Sequence, residues 1–497
     1  MEVRPSLVTV EGIDADRLGV LGVQLDVMVG GRRVWSITPR EGFVTWPVAL
    51  TTGLNAPVVV ELIDRLGRSH WSGRLEFGGQ GPADLVDQRG RIVALNKWGR
   101  PARPWELMEP NERRWFLDEL EHLLGVLHSL GYEAFVVGGT LLGAVRDRRM
   151  LGHDDDADIA WFCREESPAD VAAASFVMER DLASRGYRVV RHSAAHVQVC
   201  FGGEPGLPDF YIDIFTAFIT DGEFCEPIHM RTAELSARDI LPTTRVVLES
   251  RELAAPANPE AWLAACYGPN WRRPDPSFRF ETPIDTVRRF HGWFGSQNTH
   301  REYWNARYAT DQLDVPGRLA ELVMERARPG DLIVDLGCGL GAAAVDLAEH
   351  GLDVWAVDYA EAAISRLRQM AGERALTLRA DTVNLYDRRQ VMSYAIDVRR
   401  ENRRVLAVAS RLLDGMTHSG RHHVSQWLRW VLGNDGEAVV TMNHTLADDY
   451  DYDDPTTWHV ETEAVEMTAR QYDLAAVRLD LEEGIGTWEI RSRGGRR

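Results

Sequence analysis

Two glycine turns constrain this chain more than any other feature. The first, Gly138-Gly139, follows the apolar run from Ala134 to Val137 and opens a helical pattern. The second, Gly337-Cys338-Gly339-Leu340-Gly341, does the same after the run from Leu332 to Leu336. Glycines between a strand and a helix let the backbone approach a ligand, and the helix start offers unpaired amide groups. Two such turns, far apart in the chain, predict two sheets and two pockets. The length agrees, because 497 residues are more than one core organises.

The rest of the chain divides around these turns. Val23, Leu25, Val27 and Val29 alternate, as do Val58, Val60 and Leu62, with Gly30-Gly31 and Gly67 as punctuation. That pattern predicts a β-sandwich-like module over 1–104, read as a packing platform or a docking module. The stretch from Pro101 to Pro110 reads as a joint. From Asn111 the residues Trp115, Leu117, Leu120, Leu123, Leu124 and Leu127 recur at helical spacing. Further strands are expected at 158–162, 196–201 and 211–218, and an irregular tail at 256–283. Together these make an α+β domain over 105–290. From His300 onward helices alternate with apolar runs, Asp353 to Val357 being the second. This predicts a parallel, Rossmann-like sheet with helices on both faces over 291–497. The fold class expected is α/β multidomain.

Composition narrows the partners. A formal net charge of -19 argues against general nucleic-acid or anionic-membrane binding. No run is apolar for long enough to cross a bilayer, and Met1 to Pro5 lacks a secretory signature. The expected location is the cytoplasm, with peripheral attachment to the inner membrane face through the substrate. Lys97 is the only lysine, a bias that codon usage explains and that carries no function. Five scattered cysteines without paired spacing predict neither a disulfide framework nor a structural zinc site. Four read as buried small residues, and Cys338 fills the second glycine turn.

The first turn is followed by His153-Asp154-Asp155-Asp156-Ala157-Asp158. Asp156 and Asp158 are two apart at a strand start, so their side chains share a face. Paired carboxylates repel unless a cation lies between them. Magnesium, or manganese, takes such oxygen ligands together with substrate phosphates. Asp213, an acid inside the apolar run from Tyr211 to Phe215, is the candidate third ligand. Gly138 and Gly139 offer close backbone approach, Thr140 a helix cap, and Arg146 a partner for an anionic ligand. Asp154 and Asp155 are candidates for the base that takes the acceptor proton, or are solvated loop residues.

The segment Gly138-Gly139-Thr140-Leu141-Leu142-Gly143-Ala144-Val145-Arg146, with Asp154 to Ile159 after it, resembles the LicD family of the nucleotidyltransferase superfamily. Ile212-Asp213-Ile214-Phe215 matches that family's later strand. Cys266-Tyr267-Gly268-Pro269-Asn270-Trp271 resembles its closing element. The likeness covers about 111 to 285. It implies metal-dependent transfer of phosphocholine or a phospho-polyol from a CDP-activated donor to a glycan or lipid-linked glycan. It also implies that Asp156, Asp158 and Asp213 hold the metal. His153 departs from the family pattern, which puts the donor head group in question.

In the second turn, Asp335 opens the glycine loop and Asp358 ends the next strand, where an acid can hold ribose hydroxyls. A dinucleotide fingerprint is the rival reading. Val334 to Gly339 with Val357-Asp358 resembles class I S-adenosylmethionine-dependent methyltransferases. Glu302 to Ala309 resembles their entry segment, and Arg379-Ala380-Asp381 their adenine-contacting position. The resemblance implies S-adenosylmethionine held by Asp335, Gly337, Cys338, Gly339, Gly341, Asp358 and Asp381. Arg411, Asp414, His418, His422 and His423 cluster where the fourth strand should end. His418 is the candidate base there, and a solvated loop is the alternative. Trp427 and Trp430 read as core. The combined expectation is a bifunctional enzyme of surface-glycan modification. A nucleotide-transferring activator with a fused methyltransferase is one alternative, and a non-catalytic nucleotide-sensing scaffold is another. Oligomeric state is not legible.

Overall fold

The computed structural model describes residues 7–54, 56–78, 84–87, 90–96, 101–203, 209–274, 282–310, 318–452 and 454–493. Lys97, Met1 to Pro5 and the last four residues lie outside them. The chain falls into two compact units. The first comprises Met1–Val190, Ala194–Phe201 and Phe210–Gly295; the second comprises Arg191–Ser193, Gly202–Asp209 and Ser296–Arg497.

The first unit opens with an antiparallel sheet of β1 (Leu25–Val29), β2 (Arg32–Ile37), β3 (Pro57–Asp64) and β4 (Ser69–Glu76), in the order β2-β1-β3-β4. Alternation drives it: Val27, Val29, Val58, Val60 and Leu62 all point into one buried core. A full second sheet, as a sandwich requires, is not present among the described residues. Two short two-stranded pairs stand in its place, Gly12–Asp14 with Phe43–Thr45 and Ala94–Leu95 with Pro101–Ala102. Pro39, Gly42, Pro47 and Gly53 interrupt the intervening chain, and such residues break strands.

Helix α1 (Pro110–Ser129) starts where Pro110 needs no amide partner and Glu112 reaches back to the amide of Glu109 at 2.8 Å. Its buried stripe is Phe116, Leu117, Leu120, Leu123, Leu124 and Leu127. Strand β5 (Ala134–Val136), helix α2 (Gly138–Arg146), β6 (Ala157–Phe162), β7 (His196–Phe201) and β8 (Phe210–Thr220) follow. The strands order as β7-β8-β6-β5, with β6 and β8 parallel and the outer pairings antiparallel. Strands β9 (Glu223–Glu226) and β10 (Met230–Thr232) extend β8 as a meander. The stretch expected to be irregular carries helix α3 (Pro259–Tyr267), capped by the Asn258 side chain with Pro259 at its first position. Capping overrode the proline- and tryptophan-rich composition there.

The second unit has α4 (Arg301–Thr310), β11 (Leu332–Leu336), α5 (Ala342–Glu349), β12 (Asp353–Asp358), α6 (Glu361–Glu373), β13 (Leu378–Thr382), α7 (Arg388–Arg400), β14 (Val405–Ser410), α8 (His418–Val431), β15 (Glu437–Asn443), α9 (Thr462–Gln471), β16 (Leu474–Glu482) and β17 (Ile485–Ser492). The sheet order is β13-β12-β11-β14-β15-β17-β16. The first five strands are parallel, and β17 runs against both β15 and β16. This is a Rossmann-like sheet. All five residues of β11 are buried, as a central strand covered on both faces requires. Strand order reverses beside β11, so a crevice for a ligand opens at its carboxyl end. That is where the second glycine turn lies.

Among the described residues no helix is long and apolar enough to cross a membrane. Cys163 and Cys225 are buried as expected, whereas Cys200 and Cys266 are only half-buried. Trp427 is fully buried and stacks on Tyr394 at 5.5 Å; Trp430 packs partly buried against the same core. Trp427→Ala should cost about 3–5 kcal/mol through the cavity it leaves, measured as a fall in urea midpoint. A loss below about 1 kcal/mol would contradict this packing.

Candidate functional sites

The first site forms where β6 and β8 run side by side. Asp158 and Asp213 are direct register partners across these parallel strands. Neighbouring strands are about 4.8 Å apart, so the two carboxylates rise from one edge as near neighbours. Asp156 enters from the turn before β6. One carboxylate oxygen from each of Asp156, Asp158 and Asp213 lies within 4.8 Å of the others. Burial pushes the Asp158 carboxyl well above the usual carboxylate range, and Asp156, Asp213 and Asp154 push the same way. The site is therefore short of positive charge.

The glycine pair serves these acids directly. Gly138 turns at φ 57°, and a Cβ there would collide with the Asp158 carboxylate. The Gly139 amide donates to Asp158 Oδ2 at 3.2 Å. The helix start expected to be open to phosphate thus spends one amide on the strand acid. Thr140 does not cap the helix, which begins two residues earlier at Gly138. Its hydroxyl accepts from the Asp158 amide at 2.9 Å, tying helix to strand. Arg146 pairs with Asp147, its Nε donating at 2.8 Å. A Cβ on Gly139 would meet the carboxylate of Asp154, which places that acid beside the helix start. The Asp154 backbone carbonyl accepts from the Trp105 amide at 2.7 Å. Asp155 and Asp156 both help push the Tyr211 hydroxyl up, after burial. His153 is exposed, 3.6 Å from Asp154.

Two contributors were not read from the sequence. His196 Nε2 lies 3.1 Å from Asp213 Oδ1, and Gln198 Nε2 donates to the same oxygen at 3.3 Å. Both come from β7, whose side chains face Asp213 across the antiparallel ladder. Tyr267, at the end of α3 and part of the expected closing element, has its hydroxyl pushed up by burial and then by Cys266, Asp158 and Asp154. Gly268 follows at φ 82°, and Trp271 is buried in the core. The strand alternation around His196 was visible, but its partner Asp213 is set by register alone.

The second site gathers around β11. Gly337, Gly339 and Gly341 all turn at positive φ, and a Cβ on Gly339 would stand 3.0 Å from the Tyr308 hydroxyl. Asp358 closes β12, accepting from the Gly339 amide at 3.0 Å and the Ala360 amide at 2.8 Å. Two carboxylate oxygens have four lone-pair sites, so capacity remains for further donors. Asp335 is nearly fully buried, and burial followed by Asp358 pushes its carboxyl up to about 8. Burial raises Asp358 as well. The Cys338 thiol is raised by burial, and its small side chain fits the loop. Asp381 is the register neighbour of Val357 in β13, but its carboxylate accepts from Trp355 Nε1 and from Arg368, each at 2.9 Å.

The histidine cluster follows β14. His418 is exposed at the first position of α8, its Nε2 2.9 Å from His422 Nε2. His422 Nδ1 lies 3.0 Å from the Tyr472 hydroxyl, and His423 Nδ1 lies 3.1 Å from the Leu385 carbonyl. Asp414 is not a solvated loop acid. It is almost fully buried, pairs with Arg411 and accepts from the Asn443 amide at 3.0 Å.

Residues 131–258 match the family model described as LicD/FKTN/FKRP, nucleotidyltransferase domain. Residues 298–398 match that of the tellurite resistance protein TehB. The chain joins a LicD-type segment to a TehB-type segment. The carboxylate site lies in the LicD-type segment and the glycine loop in the TehB-type one. Among solved structures, a TehB-like SAM-dependent methyltransferase from Corynebacterium glutamicum is similar at 17% identity. The match covers 39% of this chain and 97% of that one, with TM-score 0.28. The CcbJ methyltransferase from Streptomyces caelestis is similar at 16% identity over 39% and 98%, with TM-score 0.30. The glycopeptide N-methyltransferase MtfA complexed with S-adenosylmethionine is similar at 11% identity over 36% and 95%, with TM-score 0.29. No curated protein matches the chain significantly.

The raised Asp335 carboxyl has a consequence for stability in the TehB-type segment. The folded state keeps a proton that the unfolded chain releases near pH 4. Its contribution is therefore complete below that pH and is lost as pH climbs toward about 8. In ligand-free protein, Tm should fall across pH 5 to 8, and Asp335→Asn should flatten that slope. Identical slopes in thermal melts of the two proteins would contradict the assignment.

Proposed function

We propose that the chain is a bifunctional transferase of surface-glycan modification. The LicD-type segment would move a phospho-substituent, phosphocholine or a phospho-polyol, from a CDP-activated donor to a glycan or lipid-linked glycan. The TehB-type segment would methylate the glycan or the added group from S-adenosylmethionine. The functional division inferred is an accessory module over 1–104, a phosphotransferase over 105–290 and a methyltransferase over 291–497. Work on a lipid-linked acceptor would hold the protein at the inner face of a membrane through its substrate.

The convergence of Asp156, Asp158 and Asp213 within 4.8 Å carries the phosphotransfer half. Their all-oxygen donor set fits magnesium or manganese. The raised Asp158 carboxyl marks a place where a divalent ion would relieve repulsion. When bound, such an ion supplies positive charge to phosphoryl oxygens during in-line displacement. The protein's own part is positioning. Gly139 and Thr140 fix Asp158, while His196 and Gln198 fix the carboxylate of Asp213. The match to the LicD/FKTN/FKRP model supports the reaction class.

For the other half, the glycine cradle and the acids Asp335 and Asp358 fit an adenosyl ligand. Asp358 would hold ribose hydroxyls at the strand end, as acids there do. S-adenosylmethionine supplies an electrophilic methyl group on a sulfonium. His418, at the start of α8, would take the acceptor's proton.

Asp156→Ala should lower CMP release from CDP-choline by at least ~10²-fold, the scale of losing one electrostatic contact to developing charge. Its ligand-free Tm should hold or rise, because a like charge is removed. Undiminished CMP release would sink the phosphotransfer half, and release of pyrophosphate from CTP would indicate nucleotide activation instead. Independently, Asp358→Ala should abolish the calorimetric signal for S-adenosylmethionine. A wild-type chain that binds no S-adenosylmethionine would remove the methyl-transfer half.

A further inference from the structure

Beside the carboxylate site stands a buried pair that the transfer reading leaves unused. Strand β9 ends at Glu226, and β10 begins at Met230, its register partner. The turn between them carries His229. Glu226 is wholly buried, where a carboxylate is costly unless it is partnered. One of its oxygens lies 2.8 Å from His229 Nδ1. The other accepts from Trp262 Nε1 at 3.3 Å. His229 is only 9% exposed, its ring edge-on to Phe215 at 4.8 Å and to Trp262 at 5.8 Å.

Phe215 links this pair to the acids. His196, which contacts Asp213, stacks on the same Phe215 ring at 4.4 Å. His229 is thus one aromatic ring from the group that fixes Asp213. Its positive form also draws the Asp158 carboxyl down, against the direction of burial and of Asp156, so it lies within electrostatic reach of the acids. The turn that delivers it is strained. Ile228 has φ 71°, a conformation that β-branched residues avoid. Its side chain is 49% exposed, so core packing does not hold it there. Strain of this kind persists where the surroundings impose it, and it gathers at functional sites. A pair needed only for packing is commonly replaceable by apolar residues without loss. Here the backbone bends to keep an acid and an imidazole together.

We propose that Glu226 and His229 form the proton-accepting dyad of the transfer site. This rests on the phosphotransfer reading above. The Glu226 carboxylate, 2.8 Å from Nδ1, favours the proton on that nitrogen, which leaves the lone pair on Nε2. The acceptor oxygen bonds to the donor phosphorus as the bond from phosphorus to the nucleotide oxygen breaks. The electron pair leaves with the nucleoside monophosphate, and the hydroxyl proton moves to His229 Nε2. The acceptor class follows: an alcohol, such as a sugar hydroxyl, which has a proton to give. A phosphate or carboxylate acceptor has none at neutral pH. The base is then neither Asp154 nor Asp155.

The test uses the full chain. With CDP-choline and manganese, His229→Gln should lower the kcat for CMP release by ~10²-fold or more, the usual worth of a general base. Glu226→Gln should lower it less, through the ring orientation. Donor KM and manganese affinity should stay near wild type in both. A kcat for His229→Gln within twofold of wild type would overturn the dyad. So would a loss confined to KM, or loss of manganese binding, which would make His229 a metal ligand. A second readout needs no turnover: 15N NMR of the histidine rings in the wild-type chain. The Nδ1–H tautomer is expected for His229, and an Nε2–H tautomer would overturn the dyad even if a variant fails to fold. A wild-type chain without CMP release from any CDP donor would sink the transfer reading instead, a result distinct from these.

Discussion

Repulsion between Asp156, Asp158 and Asp213 is the constraint on which the first unit turns. Three carboxylates with oxygens within 4.8 Å of one another are unfavourable in a folded chain with nothing between them. The fold nevertheless spends specific contacts to hold them there. A glycine at positive φ makes room for Asp158, an amide and a threonine hydroxyl fix it, and two side chains from the next strand fix Asp213. Such an arrangement costs stability that the core of α1, β6 and β8 must offset. The metal-dependent transfer proposed above would give that cost a use, and residues 131–258 match the LicD/FKTN/FKRP model.

The second unit solves a different problem with the same residue type. Asp335 and Asp358 lie in buried strands, where burial pushes both carboxyls up, and Asp358 accepts from two backbone amides. They shape a glycine cradle at a switch in strand order, where uncharged hydroxyl donors would be recognised. One chain thus builds acids into parallel strands twice. In the first unit they crowd toward the amino ends of the strands; in the second they stand at or next to the carboxyl ends.

Much of this was legible in the sequence, for a physical reason. Strands such as His196–Phe201 and Leu332–Leu336 declare themselves through alternation or unbroken apolar runs. Asp213 stood out because an acid in an apolar strand needs a partner. What stayed hidden depends on register and turn geometry. Thr140 reads as a cap by local pattern, yet it faces a strand amide eighteen residues away. The sandwich expected at the start shrinks to a four-stranded sheet with two short pairs, because prolines and glycines cut the chain that would have built a second layer. Glu226 and His229 carry no motif at all; only the pairing of β9 with β10 brings them together.

The most direct measurement is anomalous diffraction at the manganese edge from crystals soaked in manganese chloride. The account predicts one strong peak bounded by Asp156, Asp158 and Asp213, absent from crystals of Asp213→Asn. Ordered carboxylates with no peak between them, at concentrations that saturate solution binding, would contradict it.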